Sequence, residues 1–353
     1  MLAGACAPGL CASAGEAGDA ESRFADIDMP ALPVRRPALA VLTAAALAGD
    51  TLIAVGERGI VLRSTDGGRS WQQSAHVPTS VTLTAVRFTD GGRGWAVGHL
   101  GVVLSTRDGG ATWRKAVDGR GLAKVAQASA DAHVAAGDAR AEALRKEAAL
   151  LVADGPDKPL LDILAISTDH VVVVGAYNLC LETRDGGSTW TSLLDRVDNP
   201  KGHHYYAIAA RGDTWMLAGE QGLLQVSRDA GATFHAVPSP YAGSWFAATT
   251  PKPGTWILGG LRGNAWISHD DGEHWIRLEG SAMSSFVSAM PLSGGRSLLA
   301  TQAGQVFMVG DPAVLRPLKM PDLPPLAQVL ALPGGAALAV GMGGVRRIEG
   351  LVA

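Results

Sequence analysis

The sequence predicts an all-β protein, a seven-bladed β-propeller, and three observations lead to this prediction. The 353-residue chain contains 45 glycines but only 5% aromatic residues, which indicates many tight turns between short strands. The phrase Ser/Thr-x-Asp-x-Gly-x-x-Trp/Phe, here called the box, occurs five times, and a glycine marker precedes each copy by eight residues. The markers recur about every 40 residues, and each interval holds four short apolar segments, as in a propeller blade.

The repeats follow one another at a nearly constant spacing. The boxes lie at residues 64–71, 106–113, 183–190, 227–234 and 268–275. The markers begin at Gly56, Gly98, Gly175, Gly219 and Gly260, and they continue at Thr301 and Gly341 after the boxes fade. Their spacings are 42, 77, 44, 41, 41 and 40 residues, so the second interval contains one repeat and an insertion of about 35 residues. These markers define seven repeats.

The last repeat has segments for only three strands. The sequence FADIDM, residues 24–29, precedes the first repeat and resembles a fourth strand. We expect it to pair with the last blade and close the ring, because pairing would remove two exposed strand edges. Residues 24–353 would then form the propeller, and residues 1–20 a signal-like or disordered leader.

The insertion, at about residues 116–157, is predicted to be helical. Its segment DARAEALRKEAALLVADGP offers Asp138 as an N-cap and ends at Gly155-Pro156. The segment places four apolar residues on one helical stripe, namely Leu144, Ala148, Leu151 and Val152. The alanine-rich residues 121–137 would pair with it as a helical hairpin. Two interpretations stay open at this point: a lid packed on the propeller itself, or a helix that docks a partner.

Each box suits a structural role between the third and fourth strands of a blade. The Asp carboxylate can accept backbone N–H bonds of its own turn, and the aromatic ring can be buried between neighbouring sheets. We therefore assign the box residues to structure, namely Asp66, Trp71, Asp108, Trp113, Asp185, Trp190, Asp229, Phe234, Asp270 and Trp275. The boxes resemble the BNR repeats shared by sialidases and many non-enzymatic propellers.

A sialidase-like or other glycoside hydrolase is the alternative that this resemblance suggests. The Phe/Tyr-Arg-Ile-Pro motif of sialidases is absent from the sequence, and no tyrosine stands in a recognisable nucleophile context. We therefore predict no catalytic residues and no enzyme activity. Binding of a small ligand in the central channel is a second alternative, which an enclosed polar pocket near Tyr177 and Tyr205 would favour.

Charge and cysteine content exclude several classes of partner. Because 30 basic residues nearly balance 33 acidic ones, nothing indicates nucleic-acid binding. Cys180 is the single cysteine outside the leader, and we predict neither a metal site nor a cofactor. No apolar run reaches the roughly 18 residues of a membrane span. The leader contains part of a signal-peptide pattern, so we expect a periplasmic or otherwise extracytoplasmic location, with a cytoplasmic one still open.

Candidate binding residues lie in the loops opposite the boxes. The linkers at residues 195–208 and 239–246 concentrate imidazole and aromatic groups, which suit protein recognition. The marker hairpins between the second and third strands add further polar tips on the same face. The predicted partner-binding residues are His203, His204, Tyr205, Tyr206, Tyr241, Trp245, Tyr177, Arg58, His99, Arg262 and Glu220.

Several linker phrases are more specific than the boxes. They are GPDKPLLD (155–162), NPKGHHYYAI (199–208), GEQGLL (219–224), PYAGSWF (240–246) and LRGN (261–264). With them, residues 24–353 resemble bacterial relatives of the photosystem II stability/assembly factor propellers. The resemblance implies a non-catalytic, extracytoplasmic scaffold that binds a membrane protein complex. Relatives in non-photosynthetic bacteria further suggest an accessory protein of an RND-type transporter.

Overall fold

The computed structural model describes residues 23–282 and 284–351, which form seven antiparallel sheets. Blade 1 contains β1 (Leu42–Ala48), β2 (Thr51–Gly56), β3 (Val61–Ser64) and β4 (Gln72–Gln73). Blade 2 contains β5 (Leu83–Phe88), β6 (Gly94–Gly98), β7 (Val103–Thr106) and β8 (Arg114–Val117). Blade 3 contains β9 (Leu160–Ala165), β10 (Val171–Gly175), β11 (Cys180–Thr183) and β12 (Thr191–Ser192).

The remaining blades repeat this order. Blade 4 contains β13 (Tyr205–Arg211), β14 (Thr214–Gly219), β15 (Leu224–Ser227) and β16 (His235–Ala236). Blade 5 contains β17 (Trp245–Lys252), β18 (Thr255–Gly260), β19 (Ala265–Ser268) and β20 (Ile276–Arg277). Blade 6 contains β21 (Phe286–Pro291), β22 (Ser297–Thr301), β23 (Val306–Val309) and β24 (Arg316–Pro317). Within the described residues, blade 7 contains three strands, β25 (Leu326–Ala331), β26 (Ala337–Gly341) and β27 (Gly344–Ile348).

The blades form a ring around their first strands. Each first strand contacts the first strand of the next blade, and β1 of blade 1 contacts β25 of blade 7 in the same way. Buried apolar residues fill every junction, and at the junction of blades 7 and 1 Leu52 and Leu62 pack with Leu338. The all-β, seven-bladed propeller predicted from the repeats is confirmed.

The predicted closing strand at residues 24–29 is wrong. Residues Ala25–Ile27 form a 3-10 turn, and the fully buried Ile27 packs between blades 1 and 2. Asp28 forms ion pairs with Lys115 at the end of blade 2 and with Arg120. These contacts hold the segment away from blade 7. The ring therefore closes through the apolar junction of blades 7 and 1, and in the described part of the chain blade 7 has three strands.

The insertion is a helical hairpin, with α1 at Gly119–Ala135 and α2 at Ala141–Asp154. The N-cap of α1 is Asp118, whereas α2 begins after Arg140, and Asp138 instead accepts the Arg140 N–H at 2.8 Å. Asp138 is thus not the N-cap that the sequence predicted.

One face of the hairpin packs on the propeller. Leu144, Ala148 and Leu151 are buried against blades 2 and 3, whereas Val152, predicted on the same stripe, is exposed. The Arg140 guanidinium donates hydrogen bonds to the carbonyls of Leu194, Asp195 and Val197. The lid interpretation therefore applies to the inner face of α2, which packs on the propeller. The outer face of α2 remains accessible to a partner. Neither helix of the described chain is long and apolar enough to cross a bilayer.

Candidate functional site

The marker hairpins form one rim of the ring, and a repeated backbone contact fixes them. In all seven blades the N–H of the second marker residue donates to the carbonyl just before the first strand, at 2.9–3.1 Å. A Cβ on the first marker glycine would lie 2.1–2.6 Å from this same carbonyl oxygen in six blades, at Gly56, Gly98, Gly175, Gly219, Gly260 and Gly341. The close approach of these two backbones explains the glycine at the first position. The hairpin tips are consequently held rigidly on this rim.

The boxes form turns between the third and fourth strands. Each Asp Oδ1 accepts the hydroxyl of the first box residue at 2.7–2.9 Å and the backbone N–H four residues later at 2.8–2.9 Å. Hydrogen bonds from that later residue lower the pKa of Asp185, Asp229 and Asp270 to about 2. The box aromatics lie in the apolar junctions between neighbouring blades. All five carboxylates are thus engaged within their own turns.

An aromatic row runs from the marker rim to the central channel. The ring of exposed Tyr177 lies 4.7 Å from the His204 ring at a tilt of 54°, and the Tyr177 backbone N–H donates to His204 Nδ1 at 3.1 Å. The His204 ring contacts Tyr206 at 6.0 Å, and Tyr206 contacts Phe246 at 5.1 Å. Glu220 accepts the backbone N–H of His204 at 3.2 Å. Of the predicted residues, the structure brings Tyr177, His204, Tyr206 and Glu220 together.

Two predicted binding residues, Tyr205 and Trp245, are wholly buried and cannot touch a partner. Both occupy the first position of an inner strand, whose side chain points into the core. The other blades carry apolar residues there, namely Leu42, Leu83, Leu160, Phe286 and Leu326. Burial accordingly raises the pKa of the Tyr205 phenol. Comparison of the repeats would have identified this position as part of the core.

The remaining predicted residues are dispersed. The backbone N–H and carbonyl of His203 both bond to the Asn199 side chain, and Tyr241 packs half-buried on Trp245. The others lie exposed on three separate hairpin tips, namely Arg58, His99 and Arg262. They belong to the same rim but not to one cluster.

A groove beside α2 is the largest cavity near the aromatic row. It has a volume of about 440 Å³, and its walls come from α2, the blade 3 hairpin and the turn at residues 200–202. Leu150 and Tyr177 border it, with exposed fractions of 55% and 56%. Sequence reasoning missed Leu150, because it lies between the helix positions that pack on the propeller.

Charged groups surround this groove. Lys158 lies 4.6 Å from the centre of the Tyr177 ring and forms ion pairs with Asp154 and Asp157 at 2.9 and 2.6 Å. Burial raises the pKa of Glu147, which accepts a long hydrogen bond from the Asn178 side chain. The cation–π contact fixes Tyr177 at the edge of the groove.

The central channel is polar and open, with a cavity of about 160 Å³. Asp162 accepts hydrogen bonds from Arg87 at 2.9 Å and from the backbone N–H groups of Ile163 and Ile208. Among the described residues that line the channel, Arg87 is the one arginine, so they contain no arginine triad of the sialidase type. No described cluster of His, Cys, Asp and Glu could hold a metal ion. The channel contains Tyr206 rather than the predicted Tyr177 and Tyr205.

Comparison with known proteins identifies proteins that are similar to this propeller. The family model described as photosynthesis system II assembly factor YCF48 matches residues 151–242. The structure of YCF48 bound to D1 peptide is 15% identical with a TM-score of 0.61, over 91% of this chain and 98% of that one. YCF48 from Cyanidioschyzon merolae is 14% identical with a TM-score of 0.62, over 90% of this chain and 96% of that one.

A propeller outside that family is equally similar in fold. The WD40 β-propeller domain of Doa1 is 10% identical with a TM-score of 0.63, over 92% of this chain and 96% of that one. No curated protein sequence is significantly similar to the chain. The family match covers blades 3 and 4 together with the end of α2, which includes most of the aromatic row and the groove. Residues 151–242 are therefore similar to the photosystem II assembly factor YCF48 family, and the chain as a whole shares the propeller fold of YCF48.

Proposed function

We propose that the chain is a non-catalytic scaffold that binds a protein partner through the propeller face bearing α1, α2 and the marker hairpins. We also propose that the partner is a membrane protein complex, with an RND-type transporter as one candidate. Binding would take place in the periplasm or another extracytoplasmic compartment. The relative YCF48, whose structure is known bound to D1 peptide, supports a polypeptide as the ligand.

The groove beside α2 carries this proposal. Leu150 and Tyr177 each expose more than half of their side chain at its edge, and apolar surface of this kind is typical of contact sites. A partner side chain that enters the groove would be removed from water against Leu151, Leu179 and Leu194. Aromatic and aliphatic anchors in such pockets contribute most of the binding free energy at interfaces.

The rigid setting of the groove supports the same conclusion. The Arg140 side chain ties α2 to three carbonyls of the blade 3–4 linker, and Tyr177 is fixed by His204 and Lys158. A surface that is already ordered loses little conformational entropy when a partner binds. This mechanism requires complementary surfaces and no bond formation.

Site-specific photo-crosslinking tests the proposed face. A benzophenone amino acid is placed at position 150 in the full chain and, as the matched control, at position 276 on the outer strand of blade 5. Leu150 and Ile276 have similar exposed fractions, 55% and 52%. In native-host membranes we expect position 150 to crosslink one membrane protein and position 276 to leave it unmodified. Equal crosslinking from both positions would contradict the assignment of this face.

Substitutions provide an independent measurement. We expect the double variant Leu150→Asp/Tyr177→Ala to capture at least tenfold less of that membrane protein, because a charge replaces apolar contact area. The variant Ile276→Asp is expected to capture as much as the parent. Thermal unfolding of each variant shows whether the fold is intact. Loss of capture in Ile276→Asp alone would place the partner on another face.

A further inference from the structure

The outer edge of β27 is the longest outer strand edge in the described part of the molecule. The outer strands of blades 1, 3, 4, 5 and 6 are two residues long and that of blade 2 has four, whereas β27 has five. Proteins usually keep exposed edges short, because an unpaired edge is a template for another strand. Blade 7 departs from this rule.

The other blades show what a strand at this edge would do. In five of them the carbonyl of the first residue of the third strand accepts a hydrogen bond from the backbone N–H of the residue after the fourth strand, at 2.8–3.1 Å. The acceptors are Val61, Cys180, Leu224, Ala265 and Val306. The strand registers Val55↔Val61 and Val340↔Val345 place Val345 at the same position in blade 7. Within residues 23–282 and 284–351, no fourth strand pairs with β27.

The segment before β1 reaches only one end of this edge. The turn Pro37–Leu39 packs against β27, and a Cβ on Gly344 would meet the Ala38 carbonyl oxygen. The preceding residues turn away towards blade 1, where the Val34 N–H donates to Gln73 Oε1 and Gln73 Nε2 donates to the Leu32 carbonyl, each at 3.0 Å. Within the described residues, no backbone hydrogen bond from this segment reaches β27.

Positive charge lies along the same margin. Arg346 is exposed and has no ion pair among the described residues, whereas Arg347 is paired with Glu349. Arg35 and Arg36, which directly precede the Pro37–Leu39 turn, are also exposed and unpaired in the described part of the chain. Three uncompensated arginines favour an acidic ligand.

We infer that the outer edge of β27 binds an extended, acidic segment of another polypeptide, which becomes the antiparallel fourth strand of blade 7. The backbone of β27 would provide hydrogen bonds, and the arginines would select negative side chains, as in other cases of strand addition. This surface is formed by blade 7 and does not depend on the groove beside α2.

Fluorescence anisotropy with labelled peptides tests the charge preference. The probes are an eight-residue peptide of alternating valine and glutamate, its valine–lysine counterpart, and a valine–glutamate peptide with two central prolines. We expect the acidic peptide to bind at least tenfold more tightly than either of the others. Arg346→Glu should weaken its binding at least tenfold, whereas the matched variant Arg277→Glu, on the two-residue strand β20, should not. Equal loss in both variants, or equal binding of the peptides, would overturn the inference.

Hydrogen exchange on the full chain tests the backbone contact. We expect the acidic peptide to slow exchange at Val345 and Arg347 and to leave β20 unchanged. Slow exchange at β27 in the isolated monomer would show that the chain covers its own edge. Slow exchange that instead accompanies a concentration-dependent dimer would assign the edge to a second copy. Either result would contradict a separate acidic partner.

Discussion

Blades 1 and 7 are neighbours that share one apolar junction but differ at their outer margins. Blade 1 has a fourth strand, a box built on Asp66, and the segment at residues 31–34 against its side. Blade 7 has three strands among the described residues, and its repeat contains no box. Both nevertheless contribute fully buried residues to their common junction, including Leu52 and Leu338. The difference indicates that the inner three strands hold the ring together, while the fourth strand and the box complete the margin of a blade.

The largest expected effect comes from the junction itself. Leu338→Ala should lower the free energy of unfolding by about 3 kcal/mol, the usual cost of removing a buried leucine side chain. Leu299→Ala, equally buried at the junction of blades 5 and 6, is the matched control and should cost the same. Urea unfolding measures both variants. A cost for Leu338→Ala below half of the control value would mean that blade 7 is only loosely held.

Truncation of the buried Ile27 side chain tests whether the N-terminal segment stabilises blade 1 or blade 7. Ile27→Ala should cost about 2 kcal/mol, because the cavity opens between blades 1 and 2. Hydrogen exchange should then quicken in β1, β3 and β5 and stay unchanged in β26. Faster exchange confined to blade 7 would instead support the closing strand that the sequence suggested.

The repeat spacing was enough to predict the blades, but not the path of the N-terminal segment. The alternation in FADIDM is typical of a strand, and only three-dimensional contacts decide against it. Asp28 meets Lys115 and Arg120, residues that lie about 90 positions later in the chain. No local pattern in the sequence predicts such a pairing.

The candidate site was predicted only in part, for a related reason. A strand places neighbouring side chains on opposite faces, so only one of Tyr205 and Tyr206 could face outward. Each first strand also contains an irregularity after its first residue, which fixes the register and directs Tyr206 and Phe246 to the channel. The composition of the linkers indicated recognition, but the repeats had to be compared to show which ring is buried.

Glycine at the first marker position should be equally necessary for the stability of blade 1 and of blade 7. Gly56→Ala and Gly341→Ala would place a Cβ 2.1 and 2.2 Å from a backbone oxygen, so we expect each to cost about 2 kcal/mol through forced backbone shifts. Gly92→Ala, whose nearest atoms would lie at 3.5 Å, is the control and should change stability little. Thermal unfolding compares the three variants. A neutral Gly341→Ala would show that blade 7 tolerates movement of its hairpin and that its inner strands are less constrained than those of blade 1.

The smallest expected effect is the contribution of the boxes to the pH dependence of the protein's stability. Hydrogen bonds in the folded protein lower the pKa of Asp229, with those from Thr233 as the largest cause, to about 2 from an ordinary value of 3.8. A carboxyl whose pKa is lowered by folding stabilises the protein above its unfolded pKa, and this contribution disappears as the pH falls towards the folded pKa. Asp229→Asn should therefore reduce the melting temperature at pH 6 and flatten its decrease between about pH 4 and pH 2. An unchanged slope in Asp229→Asn would show that the box carboxylate does not contribute to stability.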